Sequence, residues 1–322
     1  MTYLHPFVIY ASFGTLVGTV LAAAVVKCLP KLPPAIKRGI WWVSLALPFA
    51  GYVLSWTWRW QTGCWGWMLS GQGYAGAFFT WLCRVGTALG YALAPFFAVA
   101  LVAGVTKAVA AAGLARRFTH RFPPERADNR VARLVQELAP RMGLAPPAVI
   151  LAPHPPGQAF AIGFRRPILV LSRQLVRELD DSELTAVLAH ELSHVEVGDH
   201  WKKWLGVMLR DILFFTGLSF LVFRNLQAET EAMADARAVQ VTGTPLALAA
   251  ALIKGWRVGR LGTRWQMALD NFAPLVGLGE VQYRVQRLIE EVPALSHTGM
   301  VWGRWLPAAV AAVTAVVLFL FC

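Results

Sequence analysis

The sequence predicts a mainly α-helical membrane protein, in which several helices cross the bilayer and a charged, mostly helical domain contains a small β-sheet. Of its 322 residues, 57% are hydrophobic and 15% are charged, and the mean hydropathy is +0.50. Soluble domains carry about 25% charged residues. All 18 acidic residues lie between Glu125 and Glu291, so one segment holds all the negative charge. These observations exclude a disordered chain and argue against a purely soluble globule.

Uncharged runs of membrane-spanning length flank this charged segment. A helix needs about 20 apolar residues to cross roughly 30 Å of hydrocarbon. The runs are Phe7–Val26, Gly39–Trp58, Val85–Thr106 and Trp305–Cys322. We therefore expect three transmembrane helices in residues 1–112, an extramembrane domain in residues 113–304 and a last transmembrane helix in residues 305–322.

The basic residues predict the orientation of these helices. The loop Lys27–Arg38 carries four basic residues and no acidic one. Because Lys and Arg are retained on the cytoplasmic side, this loop should face the cytoplasm, and alternation places Lys107–Arg304 on the same side. We expect an integral membrane protein, in a bacterium a protein of the inner membrane, whose charged domain faces the cytoplasm and which contacts the lipid bilayer.

The net charge of +12 does not indicate a nucleic-acid partner, because no basic stripe with interleaved aromatic residues occurs. The apolar stretch near 205–223 needs a separate interpretation. Its uncharged core, Ile212–Phe223, is too short to span a bilayer. We expect a membrane-associated helix that lies in the plane or re-enters, and a buried core helix is the alternative.

Within the charged domain, apolar periodicity and turn residues predict a helix, three short strands and two further helices. The predicted elements are the helix Asp128–Met142, the strands Ala148–Leu151, Ala159–Ile162 and Ile168–Leu171, and helices over Leu179–Trp204 and from about Asn225 to Val241. Asp180 and Glu183 form the capping-box pattern at the start of the first of these two helices.

That helix carries the motif His190-Glu191-Leu192-Ser193-His194. Histidines four residues apart project from one helix face, so both imidazoles can reach one Zn²⁺ at about 2.0 to 2.1 Å. Glu191 then lies beside the metal-activated water and can take its proton, which is what a hydrolase needs. The alternative is an amphipathic helix whose histidines are solvated or buried without metal.

A zinc site also needs a third protein ligand. Glu231, on the next predicted helix, can complete a site with His190 and His194, which gives one zinc ion per chain. Asp235 lies one turn further along the same face, where it can accept a histidine N–H and fix its tautomer. A solvated carboxylate is the alternative for Asp235.

The runs ELTAVLAHELSHVEVGDHW (Glu183–Trp201) and ETEAMAD (Glu229–Asp235) resemble the integral-membrane zinc metallopeptidases of the gluzincin type. With QAFAIGFRRPILVLSRQLV (Gln158–Val176), the chain is most similar to the BlaR/MecR-type peptidases, and the HtpX and CAAX-prenyl-protease type comes second. The resemblance implies a zincin-like domain in which Glu191 is the general base and acid. It also implies a supporting role for Asp199, the last residue of an H-x-x-x-x-D pattern that starts at His194.

The resemblance includes a strand beside the site that can pair with an extended substrate through main-chain hydrogen bonds. Its residues are Gln158, Ala159, Phe160 and Ala161, and Gln158 stands where the prenyl-protease type usually has Asn. The expected activity is hydrolysis of peptide bonds in membrane-proximal or cytosolic proteins, in regulated signalling. Quality-control proteolysis of misfolded membrane proteins and a non-catalytic scaffold role are alternatives. The sequence identifies no oxyanion-stabilising residue, and Arg237 is a candidate by position alone.

Overall fold

The structure, a computed structural model, describes residues 4–62, 81, 84–85, 88, 91–93, 95–106, 109, 113, 129–152, 159–162, 167–261, 278–290 and 305–320. The elements within these ranges are mostly helices, with one three-stranded sheet, as the sequence predicts. They are α1 (Leu4–Cys28), α2 (Pro34–Thr62), α3 (Asn129–Arg141), β1 (Ala148–Ala152), β2 (Ala159–Ile162), β3 (Ile168–Ser172), α4 (Arg173–Glu178), α5 (Asp181–Val197), α6 (Asp199–Ile212), a 3₁₀ turn (Phe214–Thr216), α7 (Leu218–Thr242), α8 (Pro245–Leu261), α9 (Leu278–Glu290) and α10 (Leu306–Leu320).

The chain divides into two compact units. The first comprises Met1–Lys107, Leu205–Thr230 and Gly299–Cys322, and the second comprises Ala108–Trp204 and Glu231–Thr298. The three predicted strands and the helix over Asp128–Met142 are observed in the second unit to within one or two residues.

Among the described helices, one stretch is both long and apolar enough to cross a membrane: Ala11–Cys28 in α1, with a mean hydropathy of 1.7. Tyr91–Thr106 and Leu306–Ala315 are apolar but shorter. The predicted run Gly39–Trp58 lies within α2, which contains Pro48. Several membrane crossings are therefore a proposal, to which we return below.

In the first unit, α1 packs closely against α2. The Ser44 hydroxyl donates a hydrogen bond to the carbonyl oxygen of Gly18 over 2.9 Å. A Cβ atom on Gly18 would lie 3.3 Å from the Cα of Ser44, so glycine permits this approach. Apolar side chains of α1, α2, α7 and α10 and of the turn before α7 form the core of this unit: Ala11, Ala22, Ile40, Trp41, Leu45, Leu213, Val222, Phe223, Leu226 and Val310.

The uncharged run Ile212–Phe223 is not one helix. It contains the end of α6, the 3₁₀ turn, Gly217 with a φ of 66°, and the start of α7. A Cβ atom on Gly206 of α6 would lie 3.0 Å from the Phe223 ring of α7, so the chain turns back on itself. The predicted helix from about Asn225 therefore begins earlier, at Leu218.

In the second unit, β3 lies at the centre of the sheet, parallel to β1 and antiparallel to β2. Helix α5 packs against α3, α8 and β2. Its start has the predicted capping box: the Asp180 carboxylate accepts the N–H of Glu183 over 2.8 Å, and the Glu183 carboxylate accepts the N–H of Asp180 over 2.9 Å. These bonds satisfy N–H groups that lack helical partners at the start of α5.

The prediction of one helix over Leu179–Trp204 is wrong. Helix α5 ends at Val197, Gly198 is left-handed with a φ of 68°, and α6 begins at Asp199. Glycine adopts this conformation without a Cβ penalty and commonly ends helices. Helix α6 begins directly after Gly198, so a single glycine is the local sign of the break in the sequence.

Candidate zinc site

Two helices bring three possible metal ligands together. His190 and His194 lie one turn apart on α5, with their Nε2 atoms 3.3 Å apart. Glu231 on α7 places one carboxylate oxygen 3.4 Å from Nε2 of His190 and the other 3.8 Å from Nε2 of His194. One donor atom from each residue lies within 4.8 Å of the other two.

These distances fit a zinc ion. With Zn–N distances of about 2.0 to 2.1 Å, two imidazole nitrogens at a tetrahedral angle are about 3.3 Å apart. His190 and His194 have this spacing. Two imidazoles and one carboxylate form a donor set typical of hydrolytic zinc sites, which keep a fourth position for water.

Carboxylates contact the other nitrogen of each imidazole. Nδ1 of His194 lies 3.0 Å from the Asp199 carboxylate, to which it can donate a hydrogen bond. Nδ1 of His190 lies 2.9 Å from Oδ1 of Asp235, although its N–H is not aimed directly at that oxygen. Contacts of this kind fix the tautomer and leave Nε2 for the metal.

The contact of Asp199 depends on the break at Gly198. In a continuous helix, residues five apart point about 140° away from each other. Because the chain turns at Gly198, Asp199 returns towards His194, and its side chain is 9% exposed. The supporting role that the resemblance implies for Asp199 thus has a specific contact in this structure.

Arg284 on α9 also belongs to this cluster, although it is not among the residues predicted from the sequence. Its Nε and Nη2 atoms donate to the two oxygens of Asp235 over 2.9 and 2.6 Å, and its Nη1 lies 3.0 Å from Glu231. Nη2 is also 3.5 Å from Nε2 of His190. No local pattern in the sequence marks this arginine, because it is 49 residues from Asp235 and 94 from His190.

Negative charge exceeds positive charge in this cluster. The carboxylates of Glu231 and Asp235 both contact His190, and both contact the guanidinium of Arg284. With neutral imidazoles these side chains have an excess of one negative charge, which a bound cation would offset. The charge balance and the distances therefore both support a metal site.

Without a metal, a proton balances part of this charge. Burial favours the neutral imidazole of His190, but the carboxylates of Asp235 and Glu231 outweigh burial and raise the pKa of His190 to about 10. Burial also opposes ionisation of Glu231, yet Arg284 and His190 hold the pKa of Glu231 well below its ordinary value. The pKa of Asp235 is lowered despite burial, chiefly by Arg284.

Glu191, the predicted general base, follows His190 on α5 and is partly exposed, whereas Leu192 and Ser193 are buried.

Arg237, the candidate for the oxyanion contact, pairs with other side chains of the protein. Its guanidinium donates two hydrogen bonds, each 2.8 Å long, to the exposed residue Glu196, and a third to Gln240.

The predicted substrate strand is β2, which lies at an edge of the sheet and packs against α5. Ala159, Phe160 and Ala161 pair with Leu171, Val170 and Leu169 of β3, and all three are partly buried. Within the described part of the chain, the other edge of β2 pairs with no strand. Gln158 lies outside the described residues.

Comparison with known proteins bears on this site. The family model described as BlaR1 peptidase M56 matches residues 84–254, slightly more than half of the chain. The chain belongs to the M56 peptidase family. The match includes His190, Glu191, His194 and Glu231, whereas Arg284 lies beyond it.

Curated relatives of this M56 peptidase carry the name protease HtpX. The HtpX homolog of Methanopyrus kandleri is 32% identical over 169 residues, 42% of this chain and 53% of that protein. The HtpX homolog of Acidiphilium cryptum is 32% identical over 39% of this chain and 55% of its own length. Protease HtpX of Pseudomonas entomophila is 30% identical over 52% of this chain and 59% of its own length.

The M56 chain thus spans between half and three fifths of these relatives. No solved structure matches it. The family and the relatives confirm the resemblance to membrane peptidases of the BlaR and HtpX types.

Proposed function

We propose that this M56 chain is a membrane-embedded, zinc-dependent endopeptidase that cleaves membrane-proximal or cytosolic proteins. One observation carries the proposal: two imidazole nitrogens and the Glu231 carboxylate converge at distances that suit one zinc ion. Glu191 directly follows the first of these histidines on α5. A helix with two solvated histidines would have no reason to place carboxylates against both Nδ1 atoms.

Each residue has a defined part in the proposed hydrolysis. His190, His194 and Glu231 hold the zinc, while Asp199 and Asp235 orient the two imidazoles. Zinc bound there would polarise the scissile carbonyl and lower the pKa of water towards about 7. Glu191 accepts a proton from the attacking water and then donates it to the amine nitrogen of the leaving group.

The edge of β2 supports an extended polypeptide as the substrate. An extended segment can add to a free sheet edge through main-chain hydrogen bonds, which tolerate changes of side chain. Because β2 packs against α5, a polypeptide bound along Ala159, Phe160 and Ala161 runs close to the helix that carries Glu191. Gln158 would extend this strand at its start.

The membrane arrangement is also part of the proposal. We place three crossings within residues 1–112, a cytoplasmic peptidase domain in 113–304 and a last crossing in 305–322, with residues near 205–223 associated with the bilayer. The apolar helix Ala11–Cys28 and the four basic residues of Lys27–Arg38 support it. A peptidase near the membrane surface has access to regulatory proteins, which favours regulated cleavage. Quality-control proteolysis of misfolded membrane proteins is the second candidate, in view of the similarity to proteins named protease HtpX.

The deciding experiment compares detergent-purified wild type with Glu191→Gln for zinc content, self-cleavage and cleavage of labelled casein. Because general acid and base catalysis contributes about 10² to 10⁴-fold, we expect Glu191→Gln to lose at least 100-fold in cleavage rate and to keep its zinc. Glu196→Gln is the control, since it makes the same change at an exposed position of the same helix. Wild type without zinc, or full cleavage by Glu191→Gln, would overturn the proposal.

Orientation is tested at Cys28, an exposed free cysteine at the end of α1. In intact cells, a variant that keeps Cys28 alone should react with a membrane-permeant maleimide and resist an impermeant one. A variant that keeps Cys64 alone is the control, because a crossing by Gly39–Trp58 would put Cys64 on the opposite side of the membrane from Lys27–Arg38. Labelling of Cys28 by the impermeant reagent would reverse the proposed orientation.

A further inference from the structure

Arg284 is the one functional-site residue in the described cluster that neither the motif nor the family match includes. Three of its nitrogens contact carboxylates: Nε and Nη2 bind Asp235 as a fork, and Nη1 binds Glu231. A planar guanidinium suits such two-point binding, whereas an ammonium group does not. Arg284 therefore links two carboxylates. One belongs to Glu231, a proposed zinc ligand, and the other to Asp235, which contacts Nδ1 of the proposed ligand His190.

The apolar face of α9 fixes the position of Arg284. Leu288, one turn further along, is 4% exposed, and Val285 packs against the core of the second unit. Helix α9 packs against α8. These contacts aim the arginine at the cluster, where its side chain is only 15% exposed.

These contacts argue against a direct role for Arg284 with substrate. A guanidinium has five N–H donors, and the three nitrogens of Arg284 already face carboxylates of the protein. To stabilise an oxyanion, the side chain would have to release Glu231 or Asp235, and each would then be a buried carboxylate without its cation. Such a loss is costly in a buried site.

We propose that Arg284 is a positioning residue that strengthens zinc binding by acting through Asp235 and Glu231. The fork holds Asp235 beside Nδ1 of His190, and Nη1 holds the Glu231 carboxylate beside Nε2 of the same histidine. Without Arg284, the two neighbouring carboxylates repel each other and turn apart. The inference rests on the proposed zinc site and adds a residue that determines its affinity.

Positioning and simple electrostatics predict opposite results. A cation so close to the site repels Zn²⁺, so charge alone predicts tighter zinc binding when Arg284 is removed. Positioning predicts weaker binding, because loss of a residue that orients metal ligands costs about 10- to 100-fold in affinity. The sign of the change therefore separates the two effects.

The experiment measures zinc affinity of the full-length chain in detergent by competition with a chromogenic chelator. We expect Arg284→Gln to weaken zinc binding 10- to 100-fold. Arg284→Lys keeps the charge and loses the fork, so we expect about a 10-fold loss there as well. Arg257→Gln is the control, because it removes the same charge from an exposed position on α8 and should leave the affinity unchanged.

A double-mutant cycle with Asp235→Asn separates positioning from a general effect on folding. If Arg284 acts through Asp235, the double variant should lose less zinc-binding free energy than the sum of the losses in the two single variants. Melting temperatures in EDTA report the metal-free fold independently of zinc. A merely structural arginine would lower these temperatures and leave the zinc affinity of the folded fraction unchanged.

Unchanged or tighter zinc binding by Arg284→Gln would overturn the inference while leaving the proposed function intact. If Arg284→Gln does not fold, Arg284→Lys decides, and wild-type affinity in that variant would overturn the role of the fork. Failure of the wild type to bind zinc would instead overturn the proposed function, so the two failures are distinct.

Discussion

Each unit of the molecule contains an arginine that is largely shielded from solvent, and the two arginines have different neighbours. In the first unit, Arg210 is 10% exposed and donates from Nε and Nη2 to one oxygen of the adjacent Asp211, over 2.8 and 2.6 Å. The rings of Phe220 and Phe223 lie 5.3 and 4.9 Å from its guanidinium. In the second unit, Arg284 contacts two carboxylates and an imidazole nitrogen.

The difference shows how charge balance separates a structural contact from a binding site. Arg210 and Asp211 have opposite charges and pair directly, and Arg210 also makes cation–π contacts. Around Arg284, by contrast, negative charge remains in excess, which is unfavourable in a buried place unless a cation binds. Four predictions test this contrast.

The largest expected effect is at His194. His194→Ala removes one of the three proposed ligands, so we expect the purified protein to lose its zinc and all measurable casein cleavage. Elemental analysis and the cleavage assay measure both losses. Arg257→Gln, a change at an exposed position of α8, is the comparison variant and should keep its zinc. Stoichiometric zinc in His194→Ala would place the metal elsewhere.

The next effect concerns stability in the first unit. Asp211→Asn leaves the Arg210 charge buried without its carboxylate, a change that typically costs about 3 to 5 kcal/mol in the free energy of unfolding. Replacing both residues, with Arg210→Met and Asp211→Leu, should recover most of that loss, because an apolar pair leaves no buried charge. Thermal unfolding in detergent measures both variants. Equal stability of Asp211→Asn and wild type would contradict a structural ion pair.

A smaller effect is expected at Asp199. Asp199→Asn keeps an oxygen that can accept the N–H of His194 but loses the negative charge, so we expect about a 10-fold weaker zinc affinity, the lower end for residues that orient metal ligands. Chelator competition provides the measurement, and the melting temperature in EDTA checks that α6 still forms. An affinity equal to that of wild type would mean that the Gly198 turn alone orients His194.

The most gradual effect is a dependence of stability on pH in the metal-free protein, at most about 1.4 kcal/mol for each pH unit. The pKa of His190 is about 10 in the folded chain, against 6.5 for an unperturbed histidine. Its contribution to stability is therefore complete below pH 6.5 and is lost as the pH rises to about 10, because only the folded state holds the proton in that interval.

Melting temperatures in EDTA between pH 6 and 10 should decline, and zinc, which replaces the proton, should remove the decline. His190→Gln is the control and should lack this slope in EDTA. A melting temperature that rises with pH in the metal-free wild type would contradict the raised pKa.

Local signals made much of the second unit predictable. Asp180 and Glu183 predict the start of α5 because a capping box involves residues only three apart. The strands were predicted nearly to the residue, since β-forming runs are bounded there by Pro, Gly and Arg-Arg. The end of α5 was not predicted, because α6 begins directly after Gly198 and no proline or loop separates the two helices.

The sequence by itself determined the pair His190 and His194 with Glu191 beside them, because residues four apart on a helix share a face wherever that helix packs. Tertiary structure alone decided that Arg284 joins Asp235 and Glu231. That contact depends on how the apolar face of α9 packs in the core, and no spacing within α9 or α7 encodes the distance between them. Local geometry thus placed the two proposed histidine ligands, and long-range packing brought Arg284 to the carboxylates beside them.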